Sequence, residues 1–141
     1  MATFNKFQSM VEQLAEKNFN LGSDTLKIVL SLTAPVNTNT VLSDITQIAN
    51  GNGYTTGGAT VTVSSSSQTS GTYKLVCADV TFTASGGSMA AFRYATLYDD
   101  TAASPADGLI GYWDYGSSLT LASGETFTVD FSAANGVLTI Q

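Results

Sequence analysis

Polar and apolar residues alternate along much of the chain, and this two-residue period is typical of β-strands with one buried face. The clearest example is the run of residues 26–32, in which Lys27 and Ser31 fall on the polar face. The apolar face of that run is formed by Leu26, Ile28, Leu30 and Leu32. Shorter runs of the same kind occupy residues 59–64, 127–131 and 137–140. Each of these four runs is predicted to be a strand.

The connections between these runs predict how the strands are arranged. Residues 73–83 are apolar on both faces, as expected for a central strand of a sandwich. The serine-rich residues 64–71 are expected to form a long surface turn, and Asn135-Gly136 predicts a tight hairpin between the last two strands. Together these patterns predict about seven to nine strands in an antiparallel β-sandwich or jelly roll, preceded by one N-terminal α-helix.

The most aromatic part of the chain is predicted to be a hairpin. Its two strands are residues 92–98 and 109–115, and the intervening residues 99–107 have the Asp, Ser, Pro and Gly composition of an exposed loop. Because aromatic side chains bury a large apolar area, we expect this hairpin to lie at the centre of the core. Its six aromatic residues are Phe92, Tyr94, Tyr98, Tyr112, Trp113 and Tyr115.

The N-terminal residues have the three- and four-residue apolar spacing of an amphipathic helix. We predict a helix from Phe4 to about Lys17, with Thr3 as its N-cap and Asn20 or Gly22 ending it. Such a stripe most often packs on its own domain, and the alternative is that it docks on a neighbouring subunit. The stripe consists of Phe4, Phe7, Met10, Val11 and Leu14.

The length of 141 residues indicates one domain, with residues 1–21 as a helical arm and residues 22–141 as the sandwich. Residues 41–48 could form either a short helical turn or a strand, and residues 49–58 are expected to be an exposed loop. No apolar run approaches the length that crosses a membrane, and no signal peptide is recognisable. We therefore expect no membrane partner and synthesis in the cytoplasm.

The charge of the chain argues against nucleic acid as a partner. The formal net charge is −6, the sequence pI is about 4.1, and the five Lys and Arg residues are scattered rather than clustered. Only 11% of residues are charged, so the polar surface must consist mainly of Ser, Thr, Asn and Gly. A neutral surface of this kind is common where a domain packs against other copies or partners.

The residue types that most enzymes and metal sites require are scarce. The chain contains no histidine, which excludes Ser-His-Asp triads and histidine-ligated zinc. Its single cysteine, Cys77, lies within an apolar run and is expected to be a buried side chain. We accordingly predict no catalytic residue and no cofactor.

The acidic residues of the predicted hairpin allow three interpretations. Asp99, Asp100 and Asp107 fall in the loop, and Asp114 lies beyond it. Carboxylates in a polar loop usually solvate the turn or accept hydrogen bonds from backbone amides. A calcium ion would need six to eight oxygen ligands, and a hydrolase would need a carboxylate pair, but the spacing matches neither motif. We therefore favour the structural role.

The tyrosines and the tryptophan of the hairpin could pack in the core or form a platform that stacks on sugars. Tyr112 and Trp113 are adjacent in a predicted strand, so they point to opposite faces and cannot both line one platform without a bulge. Arg93 is expected on the outer face, where it could pair with Asp99 or Asp114 or contact a partner subunit.

Eight segments of the chain carry a resemblance to known proteins: residues 2–7, 33–35, 83–87, 92–94, 97–101, 104–107, 109–116 and 124–131. These segments resemble a small structural-protein family that tailed bacteriophages encode. The similarity extends over nearly the whole chain and brings no catalytic motif with it.

The resemblance implies a capsid decoration, or cement, protein on the virion surface. Its partners would be the major capsid protein and further copies of itself, which we expect to form a homotrimer on a local three-fold axis. The alternative is an adhesion module of a tail or fibre that binds host glycans through the aromatic hairpin. The residues that we expect to contact a partner are Phe4, Phe7, Met10, Val11, Leu14, Arg93, Asp99, Asp100 and Asp107.

Overall fold

The computed structural model describes residues 2–141, which contain one α-helix, one short 3-10 helix and ten β-strands. The helix α1 is Ser9–Ala15, and the 3-10 helix is Leu42–Asp44. The strands are β1 Asn5–Lys6, β2 Leu26–Ser31, β3 Ala59–Val61, β4 Val63–Thr69, β5 Thr72–Cys77, β6 Val80–Thr83, β7 Phe92–Ala103, β8 Ala106–Leu119, β9 Thr126–Val129 and β10 Leu138–Ile140.

The strands form antiparallel sheets of five, three and two strands. The largest sheet has the order β1-β8-β7-β2-β3, the second has the order β10-β5-β4, and β6 pairs with β9. The prediction of a mainly β, antiparallel fold with one α-helix is confirmed, and the arrangement is consistent with a β-sandwich. The jelly-roll connectivity stays a prediction.

The five-stranded sheet is covered on both of its faces. One face packs on the smaller sheets, where Leu26, Ile28 and Leu30 of β2 join the apolar residues of β5, β6 and β9 in the main core. Because both faces are buried, β2 has buried residues at nearly every position rather than at alternate ones. The other face carries a smaller cluster of Phe7, Val29, Ile45, Tyr98 and Leu109.

The N-terminal helix is shorter than predicted and begins at Ser9 rather than at Phe4. The Phe7 amide donates to the Ile110 carbonyl and the Gln8 amide donates to the Asn37 carbonyl, while β1 pairs with Gly111 and Tyr112 of β8. These long-range bonds hold residues 5–7 outside the helix, which Gln8 precedes as the N-cap residue, and Thr3 is therefore not a cap. The chain leaves the helix at Lys17, which has a φ of 66°, rather than at Asn20 or Gly22.

The aromatic hairpin is confirmed, but its predicted loop at residues 99–107 is wrong. Strand β7 continues to Ala103, β8 begins at Ala106, and only Ser104 and Pro105 connect them. The chain stays extended because the Asp100 amide donates to the Thr25 carbonyl and the Thr101 side chain accepts from the Thr25 amide. These two bonds attach the far end of the hairpin to the segment that precedes β2.

Two further strand predictions are corrected. Residues 64–69, expected as part of a surface turn, form most of β4, which pairs with β5 through a turn at Ser70 and Gly71. Residues 73–83 are two strands rather than one, because the chain breaks at Ala78 and Asp79 and joins different sheets on either side. This division and the short β1 account for a strand count above the predicted range.

The predicted hairpin at Asn135-Gly136 is also wrong. The two residues do lie in a turn, and Gly136 has a φ of 77°. However, the strand before the turn, β9, pairs with β6, whereas the strand after it, β10, pairs with β5.

Residues 41–48 were predicted to form either a short helical turn or a strand, and Leu42–Asp44 form a helical turn. The Asp44 carboxylate accepts hydrogen bonds there from the amides of Thr40 and Val41.

Candidate interaction site

An open groove lies beside the outer part of the aromatic hairpin. Trp113 and Tyr115 reach it from the same face of β8, since they are two residues apart, and Phe127 and Phe131 reach it from β9 and the residues that follow. Its volume is about 340 Å³. We call these four side chains, together with Arg93 at the edge, the aromatic groove.

The aromatic rings of the groove pack against one another in tilted and edge-to-face pairs. The ring centroids of Trp113 and Phe131 are 5.5 Å apart, and those of Tyr115 and Phe127 are 5.6 Å apart with an interplanar angle of 85°. Aromatic pairs favour such geometries over a face-to-face sandwich. Phe131 is buried, Trp113 and Phe127 are half-buried, and Tyr115 is 54% exposed. The groove therefore presents a preorganised aromatic surface to solvent.

Arg93 forms a bidentate ion pair with Asp114. Its Nε and Nη2 atoms donate to the two carboxylate oxygens at 2.7 and 2.8 Å. The guanidinium group and the Gly116 amide both donate to this carboxylate, and they hold the pKa of Asp114 below its usual value. The Arg93 guanidinium also lies 5.3 Å from the ring centre of Tyr94. The predicted pairing with Asp114 is confirmed, and a partner contact of Arg93 stays a prediction.

Tyr112 and Trp113 lie on opposite faces of β8, as predicted. The Tyr112 ring centroid is 5.2 Å from that of Phe7 in the smaller cluster, and the Trp113 ring centroid is 5.3 Å from that of Phe4 on the groove side. The N-terminal segment thus passes around the edge of β8 and places one phenylalanine on each face. Most apolar side chains of this segment therefore pack against other residues of the same chain.

The other residues of the N-terminal stripe differ in exposure. Phe7 and Met10 are fully or almost fully buried, while Phe4 and Leu14 are half-buried against the main core. Val11 is 51% exposed and is the member of the stripe whose side chain is open to solvent. Phe7 and Met10 thus pack in the core, as one of the two interpretations of the stripe predicted. For Val11, contact with a partner stays a prediction.

The three acidic residues at the end of the hairpin occupy different environments. Asp100 pairs with Lys27 at 2.9 Å, and Asp107 is half-buried with a φ of 53°. Asp99 is fully buried, and its Oδ1 atom accepts from the amides of Thr101 and Ala102 at 2.9 and 3.0 Å. Among residues 2–141, no group of three or more metal-binding side chains occurs.

The Asp99 carboxyl group faces a second carboxyl group, that of Asp24. Burial, together with the neighbouring carboxyl group of Asp24, raises the pKa of Asp99 to about 6. The Asp99 Oδ2 atom is buried and has no hydrogen-bond partner among the described residues. Sequence reasoning missed Asp24, because no local pattern indicates that residue 24 lies beside residue 99.

Two other buried groups have raised pKa values because of desolvation. Burial raises the pKa of the Cys77 thiol to about 11, which leaves it protonated and a poor nucleophile at neutral pH. Burial also raises the pKa of Tyr54 to about 12, and its hydroxyl group bonds to Gln47 and to the Leu30 amide. Both side chains belong to the main core.

Comparison of the chain with protein-family models, with curated proteins and with solved structures gave no match in any of the three. Within residues 2–141, no helix is long and apolar enough to span a membrane.

Proposed function

We propose that this chain is a non-enzymatic structural protein of a tailed-bacteriophage virion, a decoration protein that binds the outside of the capsid lattice. The resemblance of its sequence segments to phage structural proteins supports this class. The observation that carries the proposal is the aromatic groove, which we assign as the surface that docks on the major capsid protein.

The composition of the groove suits a protein partner. Tryptophan, tyrosine and arginine are the residue types that contribute most often to the binding energy of protein interfaces. Here Trp113, Tyr115 and Arg93 lie together around one concave, mainly apolar surface. An apolar side chain of the capsid protein would fill the groove, and polar groups of its backbone would meet Arg93 and Asp114 at the edge.

A decoration protein stabilises a shell because it binds the assembled lattice more tightly than the free subunits. This role requires a stable domain with an accessible docking surface, and it requires no cofactor. The low content of charged residues is suited to close packing on a shell, since few charges must be desolvated when the surfaces meet.

The proposal is tested by mixing groove variants with purified capsid shells that lack their decoration protein and measuring co-sedimentation. Tyr115→Ser and Arg93→Ala are expected to weaken binding by about tenfold or more, a loss typical of interface hot spots. Both side chains are at least partly exposed, so the thermal unfolding temperature should change little. Val36→Ser is the matched control, because Val36 is 55% exposed and does not line the groove. Groove variants that bind shells as well as the unchanged chain would refute this docking surface.

A second candidate function is adhesion, in which a tail- or fibre-associated module binds host glycans. The same groove favours this candidate, since aromatic faces bordered by charged hydrogen-bonding groups suit the apolar faces and hydroxyl edges of sugars. The two functions are distinguished by titrating the chain with host-surface glycans. Glycan binding that falls on replacing Tyr115, without any binding to shells, would favour adhesion.

A further inference from the structure

Strand β4 is the longest strand with a free edge in the described part of the chain. It has seven residues and pairs only with β5, whereas the other edge strands have two to four residues each. Those shorter edge strands are β1, β3, β6, β9 and β10. No backbone group of residues 64–69 bonds to any described residue outside its own sheet.

The register shows which backbone groups point outward. Ser70 and Gly71 both have positive φ values, 51° and 85°, as in the two-residue turns that close a hairpin on a hydrogen-bonded pair. That pair is Thr69 and Thr72, so hydrogen bonding to β5 recurs at every second residue of β4. The amide and carbonyl groups of Ser66 and Gln68 therefore point away from β5, towards solvent.

The edge lacks the features by which proteins usually prevent strand pairing. Such features are charged side chains, proline, very short strands and bulges. Strand β4 contains no charged residue and no proline, and its one bulge lies between Val63 and Ser65, which leaves Ser65–Thr69 in regular register. All residues from Ser64 to Thr69 are exposed, and the Ser66 side chain lies beside Gly22.

The charge distribution identifies a second copy of this chain as the partner. With a net charge of −6, two copies repel each other over most of their surfaces. Residues 45–73 contain no Asp, Glu, Lys or Arg, and the one charged residue of β5 is Lys74, opposite Ser67, so neither β4 nor β5 adds an acidic side chain to this repulsion. In an antiparallel pair of identical β4 strands, Ser, Thr and Gln meet only one another, and no like charges are opposed.

We propose that two copies pair antiparallel through their β4 edges, about a two-fold axis, and join their three-stranded sheets into one six-stranded sheet. The outward backbone groups of Ser66 and Gln68 form the new hydrogen bonds. This inference does not rest on the aromatic groove, because none of the residues in β4 lines it. It also differs from the three-fold arrangement that the sequence resemblance implies.

The test is the mass of the full-length chain by sedimentation equilibrium over a range of concentrations. The expected result is a reversible equilibrium between one and two chains. The double variant Ser65→Lys, Ser67→Lys should lose the dimer, because it places like charges across the two-fold axis. Its control is Ser117→Lys, Ser123→Lys, which adds the same charge at exposed positions elsewhere and should keep the dimer.

Amide hydrogen exchange provides the readout at the edge itself. Exchange at Ser66 and Gln68 should slow as the concentration rises, whereas exchange at Ser67, whose amide already faces β5, should not change. A single-chain mass at all concentrations, a three-chain mass, or a dimer that persists in Ser65→Lys, Ser67→Lys would each overturn the proposal. Because capsid binding is measured separately, failure here leaves the docking proposal open to its own test.

Discussion

At the residue scale, Asp99 has the most unusual environment among the ionisable side chains described. Its carboxyl group is fully buried, accepts two backbone hydrogen bonds and faces the carboxyl group of Asp24. The other charged groups at this end of the hairpin are Asp100 on the same strand, Lys27 on β2, which pairs with Asp100, and Asp107 on β8. Burial and the nearby carboxyl group of Asp24 both favour the protonated form of Asp99.

This arrangement predicts that the protein loses stability as the pH rises from about 4 to about 6. In that interval Asp99 is protonated when folded, with its pKa near 6, but ionised when unfolded, with a pKa of about 3.9. Folding then takes up a proton, so the free energy of unfolding falls with increasing pH until both states are ionised.

The variant Asp99→Asn should remove this dependence and increase stability at pH 7 by about 1–3 kcal/mol, the scale that corresponds to this difference in pKa between the folded and unfolded states. The asparagine oxygen can still accept from the backbone amides of Thr101 and Ala102. Urea unfolding of the variant and of the unchanged chain at several pH values measures the effect. Asp100→Asn, which removes an exposed carboxylate at the same end of the hairpin, should keep the dependence. Parallel pH curves for the unchanged chain and Asp99→Asn would contradict this account.

At the scale of elements, the N-terminal segment holds the edge of β8 from both sides. Phe4 packs near Trp113 and Phe7 packs near Tyr112, and the Phe4 ring also lies against Gly111. A Cβ atom at Gly111 would collide with the Phe4 ring, so the absence of a side chain there allows β1 to lie close to β8. The segment is thereby part of the folded domain.

Phe7→Ala should therefore lower the free energy of unfolding by about 3–5 kcal/mol, as expected when a fully buried phenylalanine is truncated. Val11→Ala, in the exposed part of the same segment, should change it by about 0.5 kcal/mol or less. Urea unfolding measures both variants. Equal, small effects would indicate that the segment is a loosely attached arm available to another subunit.

The sequence predicted local structure better than the pairing of distant elements. The alternation of apolar and polar residues predicted β2 and β9, and the runs of aromatic residues predicted both strands of the hairpin. The Asn135-Gly136 signal predicted a turn correctly but not its strand partners, because β9 and β10 join different sheets. The helical spacing from Phe4 to Leu14 was misleading at its start, where hydrogen bonds to distant residues determine the path.

The candidate site was predictable only in part for the same reason. Trp113, Tyr115 and Arg93 belong to one hairpin, and the pairing of Arg93 with Asp114 follows from their neighbouring strands. Phe127 and Phe131 enter the groove from the other side of the sandwich, and Asp24 reaches Asp99 from a separate loop. Contacts of this kind depend on how the sheets pack against each other. The spacing of residues within one segment does not predict that packing.

At the scale of the whole molecule, we assign two separate surfaces for assembly to a β domain with few charged residues: the aromatic groove and the free edge of β4. The groove would bind the shell, and the β4 edge would join copies to one another. Because the two surfaces share no lining residue, variants of one should leave the other function intact.

The measurement that tests the central claim most directly is the binding of the purified chain to capsid shells stripped of their decoration protein. The account predicts saturable co-sedimentation at a fixed number of copies per shell, together with shells that withstand higher temperature when saturated. A chain that stays in the supernatant at all concentrations, and leaves the shells no more stable, would contradict the assignment as a decoration protein.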